Sequence, residues 1–274
     1  MSTIEEKRVF GERGGDTAVY LATEAGVVRV AVAADRIGTF GLERRCVARD
    51  LAVVDGRLAV ATDEDVLLGE EETGFGPAHA IGGSDAPIAA GPDGGESRVA
   101  RYGNDGWTDL GTTSEVRAID GDLIATAEGV YRAGTALQHV GLEDVSDVST
   151  PGVPLAATSD ALYRLGNGWM VELEGAFDLV AADRRSSPGT LDRACAIGDD
   201  RPFVLGGGDD ANGGDGDGGE NGWRPIDRPA TPAALAVADA LYLATEDGRL
   251  FVDAGDGWRS QALGIGSVRA MVLG

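Results

Sequence analysis

Few residues of this sequence have the types and spacing that catalysis or metal binding needs. The two histidines, His79 and His139, stand next to apolar residues and far apart in the chain. The two cysteines, Cys46 and Cys195, form no CxxC pair and have no histidine beside them, unlike the ligands of a zinc or redox site. We predict that all four are structural, with the cysteines as small buried side chains.

The sequence also lacks the longer motifs of enzymes, namely GxSxG, HExxH, the P-loop and a dinucleotide-binding GxGxxG after a strand. Its one low-complexity segment, residues 206–222, is rich in Asp and Gly, and such loops can bind calcium. The EF-hand spacing fails, because Gly214 stands where a third ligand belongs, and the GGxGxD repeat fails too. No catalytic residue, cofactor or metal site is therefore predicted, which favours a protein that is not an enzyme.

The charge of the chain limits its partners. Acidic residues number 46 and basic residues 23, for a net charge of -23, and Lys7 is the single lysine. This charge repels nucleic acid and anionic membranes, so neither is a predicted partner. Since molar salt shortens the Debye length to about 3 Å, we interpret the acidic surface as adaptation to high salt. The alternative is an acidic patch that binds a basic protein or a metal ion.

The sequence contains no targeting or membrane segment. No run of 18 apolar residues is present, and the first residues lack the apolar core of a signal peptide. We therefore predict a cytoplasmic protein, and a monomer.

An internal repeat organises the chain. An apolar strand end, Ala-Thr, a short polar turn and a second apolar run recur five times, which is typical of a β-hairpin. The threonines of these phrases are Thr23, Thr62, Thr126, Thr158 and Thr245. Two weaker copies begin at Ile88 and Cys195, with Gly91 and Ile197 in the threonine's place. Together they make seven units.

Each unit is predicted to contain four strands. An apolar segment precedes each hairpin, and a Gly/Asn/Asp turn follows it. The four tryptophans all come directly after a glycine of such a turn, where we expect the glycine to have a positive φ and the tryptophan to open the last strand. They are Trp107, Trp169, Trp223 and Trp258. Both the tryptophans and the threonines are therefore predicted to be structural repeat positions.

Seven such units predict an all-β fold, a β-propeller of seven blades spanning residues 17–274. Six blades is the alternative, if the short third unit merges with a neighbour. The last segment, SVRAMVLG, is a lone strand, and the first unit lacks an inner strand, so the N- and C-terminal strands should close the ring within one blade. Residues 1–16 are an N-terminal extension, a tail or a lid. Residues 206–222 are an enlarged, solvated turn between the third and fourth strands of the sixth unit.

One turn carries a family resemblance. In VDAGDGW, Asp253, Gly255 and Trp258 resemble the Asp-box of sialidase-like propellers, which occurs between the third and fourth strands of a blade. Phe251 replaces the usual hydroxyl residue, and the other three tryptophans lack the aspartate. In that family Asp-boxes are structural, so the resemblance implies no catalytic residue.

The whole chain resembles an uncharacterised family of haloarchaeal β-propeller proteins. The resemblance rests on the acidic, lysine-poor composition, the opening IEEKRVFGERGG and the Ala-Thr phrases. It implies a fold and an archaeal, halophilic habitat, and no activity.

Two functions are consistent with these observations. The first is a non-catalytic scaffold that binds an unidentified protein partner through the face formed by its inter-blade loops. The second is an enzyme or small-ligand binder with a site in the central channel, as in hydrolytic and lyase propellers. The second predicts polar groups at the channel mouth, including arginines such as Arg49, Arg117 and Arg269. A channel lined only by Ala and Val would exclude it.

Overall fold

The chain folds into a ring of seven antiparallel sheets, each of four strands. The computed structural model describes residues 17–198, 201–206, 220–227 and 229–274. Within these ranges each sheet is one blade of a β-propeller, and the sole helical element is a 3-10 turn at Glu220–Gly222. The described residues thus include no helix long and apolar enough to cross a membrane. The prediction of an all-β, seven-bladed propeller is confirmed, and the alternative of six blades is wrong.

The strands are numbered β1 to β28 along the chain, and within each blade they follow one another from the innermost strand outward. Blade 1 contains β28 (Ala270–Leu273), β1 (Thr17–Thr23), β2 (Gly26–Ala33) and β3 (Arg36–Arg44). Blade 2 contains β4 (Ala48–Val54), β5 (Arg57–Thr62), β6 (Val66–Leu68) and β7 (Glu71–Glu72). Blade 3 contains β8 (Ala80–Gly82), β9 (Ile88–Asp93), β10 (Glu96–Gly103) and β11 (Gly106–Thr113). Blade 4 contains β12 (Val116–Asp120), β13 (Leu123–Thr126), β14 (Gly129–Ala133) and β15 (Leu137–Gly141). Blade 5 contains β16 (Val145–Ser149), β17 (Leu155–Thr158), β18 (Ala161–Leu165) and β19 (Trp169–Glu174). Blade 6 contains β20 (Phe177–Ala182), β21 (Ala194–Gly198), β22 (Arg201–Leu205) and β23 (Trp223–Pro225). Blade 7 contains β24 (Ala234–Val237), β25 (Leu241–Ala244), β26 (Arg249–Asp253) and β27 (Arg259–Ala262).

Blade 1 joins the two ends of the described chain. The strand β28 pairs antiparallel with β1, so that Val19 lies opposite Leu273 and Ala22 opposite Ala270. The Gly274 N–H also donates to the Ala18 carbonyl oxygen at 2.9 Å. The predicted closure of the ring by the first and last strands is confirmed. Residues 1–16, predicted as an extension, lie outside the described residues.

The hydrophobic core is divided among the interfaces between blades. Seven clusters of buried side chains each combine residues of two neighbouring blades. In β5, Ala59 and Ala61 pack towards blade 3, whereas Val60 between them packs towards blade 1. Because both faces of a middle strand are covered, these strands appear in the sequence as apolar runs without alternation. The Ala-rich phrases reflect the close spacing of sheets near the axis.

Two sequence assignments concern blade 6. Residues 206–222 connect β22 to β23, the third and fourth strands, as predicted, although residues 207–219 lie outside the described part. The assignment of Ile197 to the threonine position is wrong by one residue. Gly198 pairs with Phe177 and with Arg201, as Thr126 pairs with Val116 and with Gly129 in blade 4. Its Cβ would approach the Ala176 carbonyl oxygen to 2.6 Å, so a threonine does not fit there.

Candidate functional site

The central channel is the candidate site, because it is the place where several blades bring polar groups together. Its cavity has a volume of about 250 Å³ and is lined by inner strands of six blades, β4, β12, β16, β20, β24 and β28. Most of the lining is Ala, Val and Leu. Three aspartates interrupt it: Asp50, Asp120 and Asp147. The channel is therefore not the purely apolar one that would exclude a ligand.

Asp50 and Asp147 make the same contacts in blades 2 and 5. In each, one carboxylate oxygen accepts from the N–H of the next residue, Leu51 at 2.8 Å and Val148 at 2.9 Å. The other oxygen accepts, at 2.8 Å, from an N–H of the following blade, that of Ile81 or Val180. Both aspartates come directly after a shift in strand register. Such a bulge redirects the strand locally and leaves N–H groups without a strand partner. Each carboxylate thus joins two inner strands.

Burial dominates the ionisation of these two carboxyls. Removal from water raises the pKa of Asp50 and of Asp147 to about 7, and the backbone N–H donors offset only part of this effect. The negative charge of Asp120 raises both pKa values further. Near neutral pH the channel therefore holds carboxyls that are partly protonated.

Asp120 and Ser149 make three further bonds between blades at the channel. The Thr150 N–H and its hydroxyl donate to one Asp120 oxygen at 2.7 and 3.1 Å. The Ser149 hydroxyl accepts from the Ala182 N–H at 3.0 Å. Together with Asp50 and Asp147, these groups connect blade 2 to 3, 4 to 5, and 5 to 6. The polar side chains of the channel thus act first as structural bonds.

The arginines predicted at the channel mouth are placed differently from one another. Arg117 and Arg269 line the channel, whereas Arg49 is not among the lining residues. The Arg117 guanidinium bonds to Asp144 at 2.7 Å, and this bond lowers the pKa of the Asp144 carboxyl. Arg269 pairs with Glu24 at 2.8 Å. Two of the three arginines therefore lie where the ligand hypothesis needs them, but both are ion-paired.

The four tryptophans share one role at the outer edge of the ring. Each indole N–H donates to the preceding blade, and the acceptors are the Thr73 carbonyl for Trp107, the Val140 carbonyl for Trp169, the Glu172 carboxylate for Trp223 and the Asp227 carbonyl for Trp258. The bonds measure 3.0 to 3.2 Å. A tryptophan after the turn is therefore long enough to reach back one blade.

The glycines before these tryptophans match their prediction in three of four cases. Gly106, Gly222 and Gly257 have φ values of 94°, 80° and 89°. Gly168 does not have a positive φ, so the prediction is wrong for the turn before Trp169.

The five repeated threonines occupy the hairpin turns between the second and third strands of their blades. All are buried. In blade 4 the Thr126 hydroxyl donates to the Gly129 carbonyl at 2.8 Å and accepts from the Glu128 N–H at 3.1 Å. Thr23, Thr62, Thr158 and Thr245 make equivalent bonds across their own turns. The hydroxyl satisfies backbone groups that the tight turn leaves without a strand partner.

The turn with the Asp-box resemblance has a simple internal bonding pattern. The Asp253 carboxylate accepts from the N–H groups of Gly255 and Gly257 at 2.8 and 3.1 Å. Phe251 packs edge-on against Trp258, with ring centroids 6.3 Å apart. These contacts hold the turn and place no reactive group; the resemblance itself stays a prediction.

The histidines and cysteines do not meet in a site. His79 lies 3.4 Å from the Ser97 hydroxyl, and burial lowers its pKa. His139, in the outer strand of blade 4, contacts Tyr131 of the neighbouring strand. Cys195 is buried as predicted, whereas Cys46 is only half-buried. Among the described residues no three His, Cys, Asp or Glu side chains are grouped to hold a metal ion.

Sequence reasoning missed the three channel aspartates. Asp50 and Asp147 interrupt apolar inner-strand segments, as in VARDLAVVDG, and Asp120 ends one; these positions were the available signal. They do not show that residues 50, 120 and 147 share one cavity, because only the ring brings them together.

Solved structures of low sequence identity share this fold. They include apo AztD from Citrobacter koseri, at 12% identity and a TM-score of 0.51, with 90% of this chain and 82% of that chain covered. A chain of the nidogen/laminin complex matches at 10% identity and a TM-score of 0.55, covering 94% and 98%. The Dos1 propeller matches at 11% identity and a TM-score of 0.52, covering 94% and 86%. At these identities the likeness concerns the fold alone.

The comparison with sequences gives a family. No curated protein matches significantly. The sequence model of one family, described as HVO_0234-like beta propeller, matches residues 3–274, and the chain therefore belongs to this beta-propeller family.

Proposed function

We propose that this protein is a non-catalytic scaffold that binds another protein. The observation that carries the proposal is the state of the channel, where most of the polar side chains already bond within the ring; Arg184 and Ser146 are lining residues with no such bond to a described residue. Both oxygens of Asp50 and Asp147 accept backbone N–H groups, and Arg117 and Arg269 are ion-paired. A catalytic group needs a free atom within reach of its substrate. The bonded channel groups instead connect the inner strands of neighbouring blades.

The outer surface supports the same proposal. Among the described residues, Phe40 and Leu42 on the outermost strand β3 are more than two-fifths exposed and project from the same face. Met170 and Val171 on β19 are similarly exposed, but they are neighbours in the strand and project from opposite faces, so they form no common patch. Exposed apolar groups on an otherwise charged surface are typical of protein contact sites. The acidic, lysine-poor composition supports a cytoplasm of high salt as the location. In such a cytoplasm salt weakens charge contacts and leaves apolar contacts intact, so apolar groups would supply the binding energy.

Co-purification tests this proposal. The tagged protein, isolated from its native cells in molar salt, should retain one polypeptide partner in a constant ratio. Native mass spectrometry of the same sample measures that ratio. Repeated isolation of this chain alone would contradict the scaffold.

A small-ligand binder or an enzyme with its site in the channel is the second candidate. It is favoured by the convergence of Asp50, Asp120 and Asp147 on one cavity, with two pKa values of about 7, near the range useful for proton transfer. The cavity of about 250 Å³ lies below the roughly 300–1,000 Å³ of common ligand sites, so only a small polar ligand would fit. Native mass spectrometry also distinguishes the two candidates. A ligand site in the channel predicts a small molecule that the wild-type protein retains and Asp147→Ala does not.

A further inference from the structure

The outermost strand of blade 1 is unlike those of the other blades. With nine residues, β3 is the longest outer strand, and seven of the nine are exposed. No described strand pairs with its outer edge. Proteins usually protect such an edge by shortening it, by bulges or by placing charges along it. The pairing of β3 with β2 shifts register between Val27 and Val28 and between Val30 and Val32, so irregularities flank the segment Phe40–Leu42, which itself pairs regularly. The central residues 37–42 of β3 carry no charge.

Two apolar side chains stand side by side on this strand. Phe40 lies opposite Val30 and Leu42 opposite Val28, so both project from the face that packs towards blade 7. They are 41% and 42% exposed. The outer strand of blade 7, β27, has only four residues and leaves them uncovered. The result is a pair of apolar contact points two residues apart, the spacing with which one face of an extended peptide meets a sheet.

Gly41 between them projects no side chain from the opposite face of β3. Its φ is not in the left-handed region, and a Cβ built on it would meet nothing within 4 Å. Neither backbone conformation nor internal packing therefore requires glycine at this position. The exposed apolar side chains Phe40 and Leu42 thus lie on one face of the strand only.

The chain segment that contains β3 carries a charge opposite to that of the whole chain. Residues 26–45 contain four arginines and two acidic residues, whereas the chain carries -23. Arg29, Arg36 and Arg45 make no ion pair with another described residue. On the blade 7 side Asp35 is already paired with Arg259 at 3.2 Å, and on the blade 2 side Arg45 lines a surface pocket with acidic residues such as Glu64. Arginines that have no ion-pair partner among the described residues favour a partner with acidic side chains.

We infer that β3 binds an extended segment of another protein, which adds to blade 1 as a fifth strand. The segment carries apolar residues at alternate positions, which contact Phe40 and Leu42, and acidic residues, which pair with Arg29, Arg36 or Arg45. Backbone hydrogen bonds to the free edge supply affinity, and the side chains supply specificity. This inference rests on the proposed scaffold function and assigns it a surface and a class of partner.

Selection from a library of random decapeptides displayed on phage tests the inference. Selection on the wild-type protein should enrich peptides with alternating apolar residues and a net negative charge. The variant Phe40→Ser/Leu42→Ser should bind them at least about tenfold more weakly, a difference of at least about 1.4 kcal/mol. The matched control is Met170→Ser/Val171→Ser, which removes an equally exposed apolar pair from β19 and should bind as the wild type does.

Two further arms separate the alternatives. Methylation of alternate backbone nitrogens in a selected peptide should abolish its binding, because it removes the N–H donors and leaves the side chains. Arg36→Ala/Arg45→Ala should weaken binding in dilute buffer and much less in molar salt. Enrichment of basic peptides, no enrichment, or equal binding by the two serine variants would overturn the inference. So would a dimer of this chain that Phe40→Ser/Leu42→Ser dissociates.

Failure here is distinguishable from failure of the scaffold function. If the native partner is retained equally by wild type and Phe40→Ser/Leu42→Ser, the protein is a scaffold that does not use β3. If no partner is retained by any form, the scaffold function itself is wrong.

Discussion

Replacing Trp223 with alanine tests whether contacts between outer strands stabilise the ring. Trp223 is 1% exposed and packs in the cluster between blades 5 and 6. A buried tryptophan side chain removes about 150–250 Å² from water, which at roughly 25 cal/mol per Å² corresponds to about 4–6 kcal/mol. Measured losses for such truncations are about 3–5 kcal/mol. We therefore expect Trp223→Ala to lower the free energy of unfolding by about 4 kcal/mol.

Two companion variants divide this loss into its parts. Trp258 has the equivalent place in blade 7, where its indole donates to the Asp227 carbonyl at 3.1 Å, but it is only half-buried. Trp258→Ala should therefore cost about 2 kcal/mol, because less area returns to water. Trp223→Phe keeps a ring in the cluster and removes the N–H that donates to Glu172 at 3.1 Å. It should cost about 1–3 kcal/mol, the range for a lost bond to a charged group.

Urea unfolding followed by far-ultraviolet circular dichroism is the appropriate assay. Tryptophan fluorescence is unsuitable, because the substitutions remove the fluorophore itself. Molar salt in all samples screens the repulsion among the acidic side chains to the same extent. Equal losses for Trp223→Ala and Trp258→Ala, or a loss below about 1 kcal/mol for Trp223→Ala, would refute the reasoning from burial.

Substitutions at two positions and one deletion test other parts of the structure. Burial raises the pKa of Asp147 from 3.8 to about 7, so ionisation of this carboxyl opposes folding increasingly as pH rises from about 4 to 7. The stability of Asp147→Asn relative to wild type should therefore increase over that range, and a difference in urea midpoints that stays constant with pH would contradict this. Thr126→Val removes the turn hydroxyl and should cost about 1–3 kcal/mol, whereas Thr126→Ser should retain most of the stability; equal thermal midpoints for the two variants would show that the hydroxyl is unimportant. Deleting residues 270–274 removes β28 and exposes the inner edge of β1, so size-exclusion chromatography should show association, and a stable monomer would argue against closure by this strand.

The repeated phrases predicted the fold because they report local chemistry. A threonine in a tight turn satisfies backbone groups within three or four residues, so Thr23 or Thr126 marks its hairpin without help from the rest of the chain. The last segment of the chain is a lone strand, and the first unit lacks an inner strand. These complementary ends predicted that the terminal strands close the ring. Where the threonine is absent the marker is lost, which explains why the pattern points to Ile197 rather than Gly198.

The contacts between blades could not be predicted in the same way. The pattern places the tryptophans after turns, but their acceptors lie 29 to 51 residues back along the chain. The channel aspartates come from blades 2, 4 and 5, and their local sequence places them in or beside apolar segments without showing that they share one cavity. The exposure of Phe40 and Leu42 depends on how short β27 is in the next blade. All three features depend on distances across the ring, which a pattern along one chain does not contain.

The pairing of β28 with β1 has a consequence for biosynthesis. The ribosome makes β1 before the other six blades and β28 after them. Blade 1 therefore lacks its innermost strand, β28, during most of translation. During that time its inner edge and the adjoining apolar side chains are open to chaperones, or to a neighbouring nascent chain on the same messenger. Folding of the ring is therefore tied to the completion of the polypeptide.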